Sequence, residues 1–296
     1  MKCQIGLMVT IFVGLTCLGD EVVKYKIPMN PSFTPEAVAE YKLKADAGDA
    51  VAQYLYSMAL ANGNGVAKDL PAAFDYAKRS ADQGCAIALR RVGKGYQEGW
   101  GVKPNEIRSA EWFARYLEWS RSAAEEGDAV AQLALAGIYD EGLGVPTNQV
   151  EAVKWYRKAA DQGNASAQFN LGDCYKYGTG VEKDAAEAVK WYRKAADQGN
   201  ASAQFNLGLC YECGKGVAKD AVEAVKWYRK AADQELALAQ RNLGVCYEYG
   251  KGVAKDTAEA EMWYRKSALQ GHEQAKKALD NLREKQLREK EQAAGI

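Results

Sequence analysis

The chain has 296 residues, with 39 Lys and Arg against 39 Asp and Glu, so its formal net charge is zero. A balanced charge and a mean hydropathy of −0.41 argue against a polybasic nucleic-acid binder and against a polytopic membrane protein. One histidine in the whole sequence, His272, removes most chemistry that relies on imidazole.

Residues 1–19 carry Lys2 and then an apolar run from Ile5 to Leu18. That run is short for a membrane span, which needs ~20 residues. A positive start, a short apolar segment and small residues near Cys17-Leu18-Gly19 read as a secretory signal, cleaved around Gly19–Asp20. Gly14-Leu15-Thr16-Cys17 resembles a lipoprotein box poorly, because an aliphatic residue is expected at Gly14. The expected location is therefore outside the cytoplasm, in the periplasm or secreted, with no transmembrane segment in the mature chain. Residues 20–35 read as a linker and 36–47 as an N-terminal capping helix.

From Gly48 the sequence repeats itself. Gly-x-Gly-Val recurs at Gly63, Gly99, Gly142, Gly178, Gly214 and Gly250, at steps of 36, 43, 36, 36 and 36 residues. The implied units are 48–83, 84–126, 127–162, 163–198, 199–234 and 235–270. Units 163–198 and 199–234 differ at six of 36 positions, as recent internal duplication would leave them. A period of this size signals a stacked-repeat architecture.

Each unit reads as two helices. The first starts at Asn164 or its counterparts Asp49, Asp128 and Asn200, all good N-caps. Ala167, Leu171 and Cys174-Tyr175 follow at three- and four-residue steps, and Gly178 and Gly180 stop the helix. Asp184 with Glu187 three residues on forms a capping box for the second helix, repeated at Asp220/Glu223 and Asp256/Glu259. Its apolar stripe is Ala188, Trp191, Tyr192, Ala195 and Ala196, and Trp119, Trp155, Trp191, Trp227 and Trp263 read as one equivalent position. Neither helix can bury its stripe alone, so the units must stack. Glu36–Asp49 echoes a second-type helix, and residues 271–296 begin as a first-type helix and become highly charged, a C-terminal cap. The fold class is all-α, an α-solenoid of about fourteen helices.

The unit from Ala167 to Ala196, AQFNLGDCYKYGTGVEKDAAEAVKWYRKAA, resembles a Sel-1-like repeat, a relative of the tetratricopeptide repeat with a longer interhelical loop. The resemblance covers residues ~36–280. It implies a right-handed superhelix that binds a protein or peptide partner, in bacterial envelopes or in the lumenal quality-control machinery of eukaryotes. Some cysteine-rich relatives are associated with penicillin binding and β-lactam hydrolysis, which gives a rival reading as a β-lactamase-like or cell-wall hydrolase. No serine here carries a lysine at S-x-x-K spacing, so no catalytic residue is assigned.

On the first helices, residues not needed for packing form a second face: Ser166, Phe169, Asn170, Asp173 and Tyr177 in the fourth unit. Asn170, Asn206 and Asn242 form a ladder that reads either as amides holding an extended peptide backbone or as links between neighbouring helices. Phe169, Phe205 and Arg241 share one position, and Tyr177, Cys213 and Tyr249 another. Aromatic and arginine side chains are typical interface anchors, although an aromatic stripe at repeat spacing also suits a core. Trp100 stands in a loop slot that elsewhere holds Asn64, Leu143, Thr179, Lys215 or Lys251, so it reads as an exposed anchor or as folded onto the insert.

The second unit is seven residues longer, with the excess placed between Asn105 and Trp119. Seven residues are close to two helical turns. They bring Trp112, Phe113 and Tyr116, which would bulge from the array as a partner site, a dimer contact or a neutral insertion. Cys174, Cys210 and Cys246 fall roughly 10 Å apart on successive hairpins, too far for disulfides, which need Cα atoms within ~7 Å. They read as small buried residues. Cys210 and Cys213 end a helix, where a thiolate is disfavoured, and no second cysteine pair accompanies them. No metal, cofactor or nucleic-acid partner is expected.

Overall fold

The computed structural model describes residues 31–294, in which fourteen helices and no strands are found. The leader expected over 1–19 and most of the linker over 20–35 lie outside these residues. The helices group into two compact units that meet in sequence at Gln162/Gly163.

The first unit holds α1 (Pro35–Asp46), α2 (Ala50–Asn62), α3 (Leu70–Asp82), α4 (Ala86–Glu98), α5 (Glu106–Glu125), α6 (Ala129–Glu141) and α7 (Gln149–Asp161). The second holds α8 (Ala165–Tyr177), α9 (Ala185–Asp197), α10 (Ala201–Cys213), α11 (Ala221–Asp233), α12 (Ala237–Tyr249), α13 (Thr257–Leu269) and α14 (Glu273–Ala294). Within each unit, consecutive helices pack as antiparallel neighbours. This is an all-α repeat fold. No helix among the described residues is long and apolar enough to cross a membrane.

One hairpin shows why the sequence folds this way. The Asn164 side chain accepts a bond from the Ala167 N–H at 2.9 Å and starts α8. Gly178 ends it at φ +76, a left-handed conformation that L side chains rarely adopt, with its N–H on the Cys174 carbonyl. The Asp184 carboxylate then caps α9 by accepting from the Ala186 and Glu187 N–H groups.

The capping box expected there is only half formed. The Asp184 N–H donates to the Tyr175 carbonyl at 2.9 Å, so the loop folds back onto the end of the first helix. Asp220 on Tyr211 and Asp256 on Tyr247 repeat the bond. Glu187 and Glu223 are thereby released to pair with Lys190 and Lys226.

Packing is close at the backbone both within a hairpin and between hairpins. A Cβ on Gly172 would lie 2.7 Å from the Tyr192 ring, so glycine lets that ring pack directly against α8. In the next loop, a Cβ on Gly216 would overlap the Ala185 carbonyl oxygen of the preceding hairpin. That close approach is one physical reason for the Gly-x-Gly-Val signature.

A buried polar ladder runs beside it. Gln204 is 5% exposed, donates to the Ala196 carbonyl at 3.1 Å and accepts from Gln234 at 2.8 Å. Gln240 repeats the arrangement with Ala232 and Gln270, and in the first unit Gln132 does so with Ala124 and Gln162. In the second repeat the ladder position is Leu89, which is apolar and buried.

The extra length of the second repeat is all helix: α5 has 20 residues where the second helices of the other five repeats have 13. Its register differs from the reading above. A Cβ on Gly93 would meet the Phe113 ring at 2.5 Å, as Gly172 meets Tyr192. Arg115 lies over Trp112 at 4.3 Å, as Lys194 lies over Trp191 at 3.9 Å. Trp112, not Trp119, is therefore the equivalent of Trp191. Trp119 lies two turns further on, and the added turns follow Phe113. Trp112, Phe113 and Tyr116 are buried and make no bulge, and Tyr116 stacks on Trp119 with ring centres 6.1 Å apart.

Candidate functional site

In the second unit, α8, α10 and α12 turn Ala167, Leu171, Ala203, Leu207, Ala239 and Leu243 into the core. A flanking face of the same helices carries the asparagine ladder, whose three members are all half-buried. Asn206 Nδ2 donates to Asp173 Oδ1 at 3.3 Å, and its Oδ1 accepts from Lys176 Nζ at 3.5 Å. Asn242 Oδ1 accepts from Arg241 Nη1 at 3.0 Å. Asn206 thus links its hairpin to the preceding one. An amide offers two donors and two acceptor lone pairs, so these bonds leave a further N–H and lone pair on Asn206.

A row of half-buried carboxylates supports this face. Asp173 accepts from the Tyr192 hydroxyl, Glu212 from the Tyr228 hydroxyl at 2.6 Å, and Glu248 from the Tyr264 hydroxyl at 2.7 Å. Burial raises the Asp173 carboxyl above its ordinary range, opposed by the Tyr192 bond and the nearby Lys176 charge. Burial and the facing carboxylates push all three tyrosine hydroxyls far up, so they act as fixed donors. Sequence reading missed these pairs because the acids shift position: Asp173 precedes Tyr192 by 19 residues, whereas Glu212 and Glu248 precede their tyrosines by 16.

The aromatic column divides. Phe169 is 6% exposed and lies against Tyr192, so its ring belongs to the core. Phe205 is half-buried with its ring centre 5.8 Å from that of Tyr228. Arg241 completes the column, half-buried, with its Nε lacking a bonding partner among the described residues. At the helix ends Tyr177 is 65% and Tyr249 62% exposed. Lys176 lies 4.8 Å from the Tyr177 ring centre and Lys251 5.6 Å from that of Tyr249. Cys213, at the same repeat position, is exposed.

Trp100 belongs to the first unit and stands apart from this cluster. Its ring is half-buried, edge-on to Phe74 at 6.1 Å and covered by Arg91 at 4.7 Å, so it is less open than its loop position suggests. His272 Nδ1 accepts the Ala275 N–H at 3.2 Å and caps α14. Burial pushes the Cys210 thiol up and the Cys246 thiol up to about 11, the opposite of an activated nucleophile.

The family model described as "Sel1 repeat" matches residues 50–85, 86–115, 129–164, 165–200, 201–236 and 237–272. The chain belongs to the Sel1 repeat family. Its second match stops at residue 115, consistent with added turns after Phe113. Among solved structures, c5321, a protective antigen of uropathogenic Escherichia coli strains, is 36% identical over 84% of this chain, with a TM-score of 0.57. The chain spans 52% of the length of that antigen. A Sel1 repeat protein from Oxalobacter formigenes is 35% identical over 77% of this chain and 86% of its own, with a TM-score of 0.53. The Pseudomonas aeruginosa immunity protein Pa5087, at 19% identity over 76% of this chain and 81% of its own, shares the fold with a TM-score of 0.54. No curated protein matches the chain. Sel1 repeat proteins are generally protein-interaction scaffolds.

Proposed function

We propose that this Sel1 repeat chain is a non-catalytic scaffold that holds a protein or peptide partner on the face of α8, α10 and α12. The observation that carries the reading is the asparagine ladder on a half-buried face bordered by two exposed tyrosines. Asn170, Asn206 and Asn242 supply amides, which can pair with the backbone of an extended segment without strong demands on its side chains. Phe205, Arg241, Tyr177 and Tyr249 supply the stacking and planar contacts that anchor interfaces, while Phe169 backs them from the core. The apolar stretch Ile5–Leu18 is read as an export leader, which sets the scaffold to work outside the cytoplasm.

The test is a crosslinked capture with residues 20–296 from the source organism's envelope fraction, beside the triple variant Asn170→Ala, Asn206→Ala, Asn242→Ala. Circular dichroism establishes that the variant keeps its helices. A partner held by the wild type and lost by the folded variant is the expected result. Retention of every partner by that variant overturns the assignment of the face.

A further inference from the structure

The second repeat breaks the pattern of the face just described. Counted from the first residue of each unit, Arg91 occupies the position of Asn170. By the same count Arg90 replaces Phe169, and Lys94 replaces the acidic Asp173. Three cations on α4 thus stand where the fourth repeat has an aromatic ring, an amide and a carboxylate.

Their surroundings treat them unequally. Arg90 Nη2 lies 2.6 Å from Glu141 Oε1, and Lys94 Nζ 3.2 Å from Glu141 Oε2, so one carboxylate from α6 already bridges two of the cations. Glu98 lies 3.8 Å from Lys94. Arg91 has no carboxylate within ion-pair reach among the described residues, and its Nε is buried without a hydrogen-bond partner. Its guanidinium rests on the Trp100 ring at 4.7 Å, with Tyr54 buried nearby. Both arginines lose hydration. Glu141 offsets this for Arg90, whose guanidinium is held more firmly charged, whereas burial pulls Arg91 down with only the weak help of Tyr54.

A guanidinium held in a half-buried site with donors unused is a charge awaiting its counter-ion. The indole beneath the guanidinium restrains it, which favours two-pronged carboxylate binding. We infer that the α4 face of the first unit binds an acidic segment of a partner protein, with Arg91, seated on Trp100, gripping an Asp or Glu carboxylate. Glu141, bridging Arg90 and Lys94, shows within the molecule how carboxylate oxygens meet this surface. The inference rests on the scaffold reading in taking the chain as a protein-binding repeat array, and it names a further binding surface, within the first unit.

The test selects random dodecapeptides on the folded chain 20–296, then on its Arg91→Asn variant. Asn is the residue three other repeats place at this position, so the substitution suits the helix. Wild type is expected to enrich peptides containing Asp or Glu. The tightest of them should bind Arg91→Asn ~10–100-fold more weakly, the range for losing a charged hydrogen-bonded contact. Its Gln/Asn-substituted counterpart should lose affinity for wild type to a similar degree. If Arg91→Asn does not fold, Arg91→Lys carries the comparison: it keeps the charge, loses the fork, and should weaken the acidic peptide selectively. Enriched peptides without acidic bias, or an acidic peptide indifferent to both variants, overturn the inference. Where such peptides still lose binding in the triple asparagine variant, the scaffold reading stands while this one falls. Failure to enrich any peptide counts against both.

Discussion

Replacing Gln204 tests what joins one hairpin to the next. Gln204→Met keeps the length and much of the volume of the side chain but removes the bonds to Ala196 and Gln234. The Ala196 carbonyl still accepts from Gly199 at 3.0 Å, and Gln234 is exposed and can turn to water. No buried group is therefore stranded, and the loss is that of two ordinary hydrogen bonds, ~2 kcal/mol together. Gln204→Glu sets a carboxylate against the Ala196 carbonyl in a site that is 5% exposed in the parent chain. Its ionised form is disfavoured, so its pKa must rise on folding. The folded state then binds the proton more readily than the unfolded state, and stability falls as pH rises between the two values. Gln204→Glu should accordingly be less stable than Gln204→Met at neutral pH and recover below the carboxylate range, where a protonated acid can donate to Ala196. Urea unfolding followed by circular dichroism reads both variants against wild type. A Gln204→Met midpoint equal to wild type, or a Gln204→Glu variant that does not recover in acid, refutes the reasoning.

Three further outcomes follow from the same geometry. Gly172→Ala places a methyl 2.7 Å from the Tyr192 ring, and thermal unfolding should show a loss of ~1–3 kcal/mol from overpacking. Asp173 has a raised folded pKa, so it lowers stability as pH rises above the ordinary carboxylate range. Asp173→Asn should flatten the decline of Tm with pH without abolishing it, because Asp140 is shifted the same way. An unchanged slope would contradict that assignment. Cys213 is exposed while Cys210 and Cys246 are buried with raised thiols, so peptide mapping after brief maleimide treatment should find label on Cys213 and find the other two only after unfolding.

Most helices were legible because they begin on an Asn or Asp that caps, stop at or just before a glycine that takes positive φ, and carry alanines at helical spacing between; α4 and α12 begin on Cys85 and Leu236 without a side-chain cap, and α11 is followed by Glu235 at positive φ. What sequence spacing could not reveal is which of two good candidates the partner helix selects. Trp112 and Trp119 lie seven residues apart on one face, and counting back from Gly127 favours Trp119. The notch at Gly93, filled by Phe113, and Arg115 lying over Trp112 decide for Trp112. Gln168, Gln204 and Gln240 recur as regularly as the asparagines, yet a glutamine reads as solvent-facing until its partner 30 residues later is placed beside it. Glu187 satisfies the spacing of a capping box, but the Tyr175 carbonyl reaches the Asp184 N–H instead. At the candidate face the columns were visible and their accessibility was not. Burial of Phe169 depends on Tyr192, and shielding of Trp100 depends on Phe74 and Arg91, all distant in sequence.

The central claim, that the α8, α10 and α12 face holds a partner, is tested most directly by site-specific photo-crosslinking in the source organism. A benzophenone amino acid at Tyr177 or Tyr249 sits on the edge of that face, and one at Lys190 sits on the exposed side of α9. The account predicts one partner crosslinked from Tyr177 and Tyr249 and absent from Lys190. The same partner captured equally from Lys190, or from Lys190 alone, would contradict it.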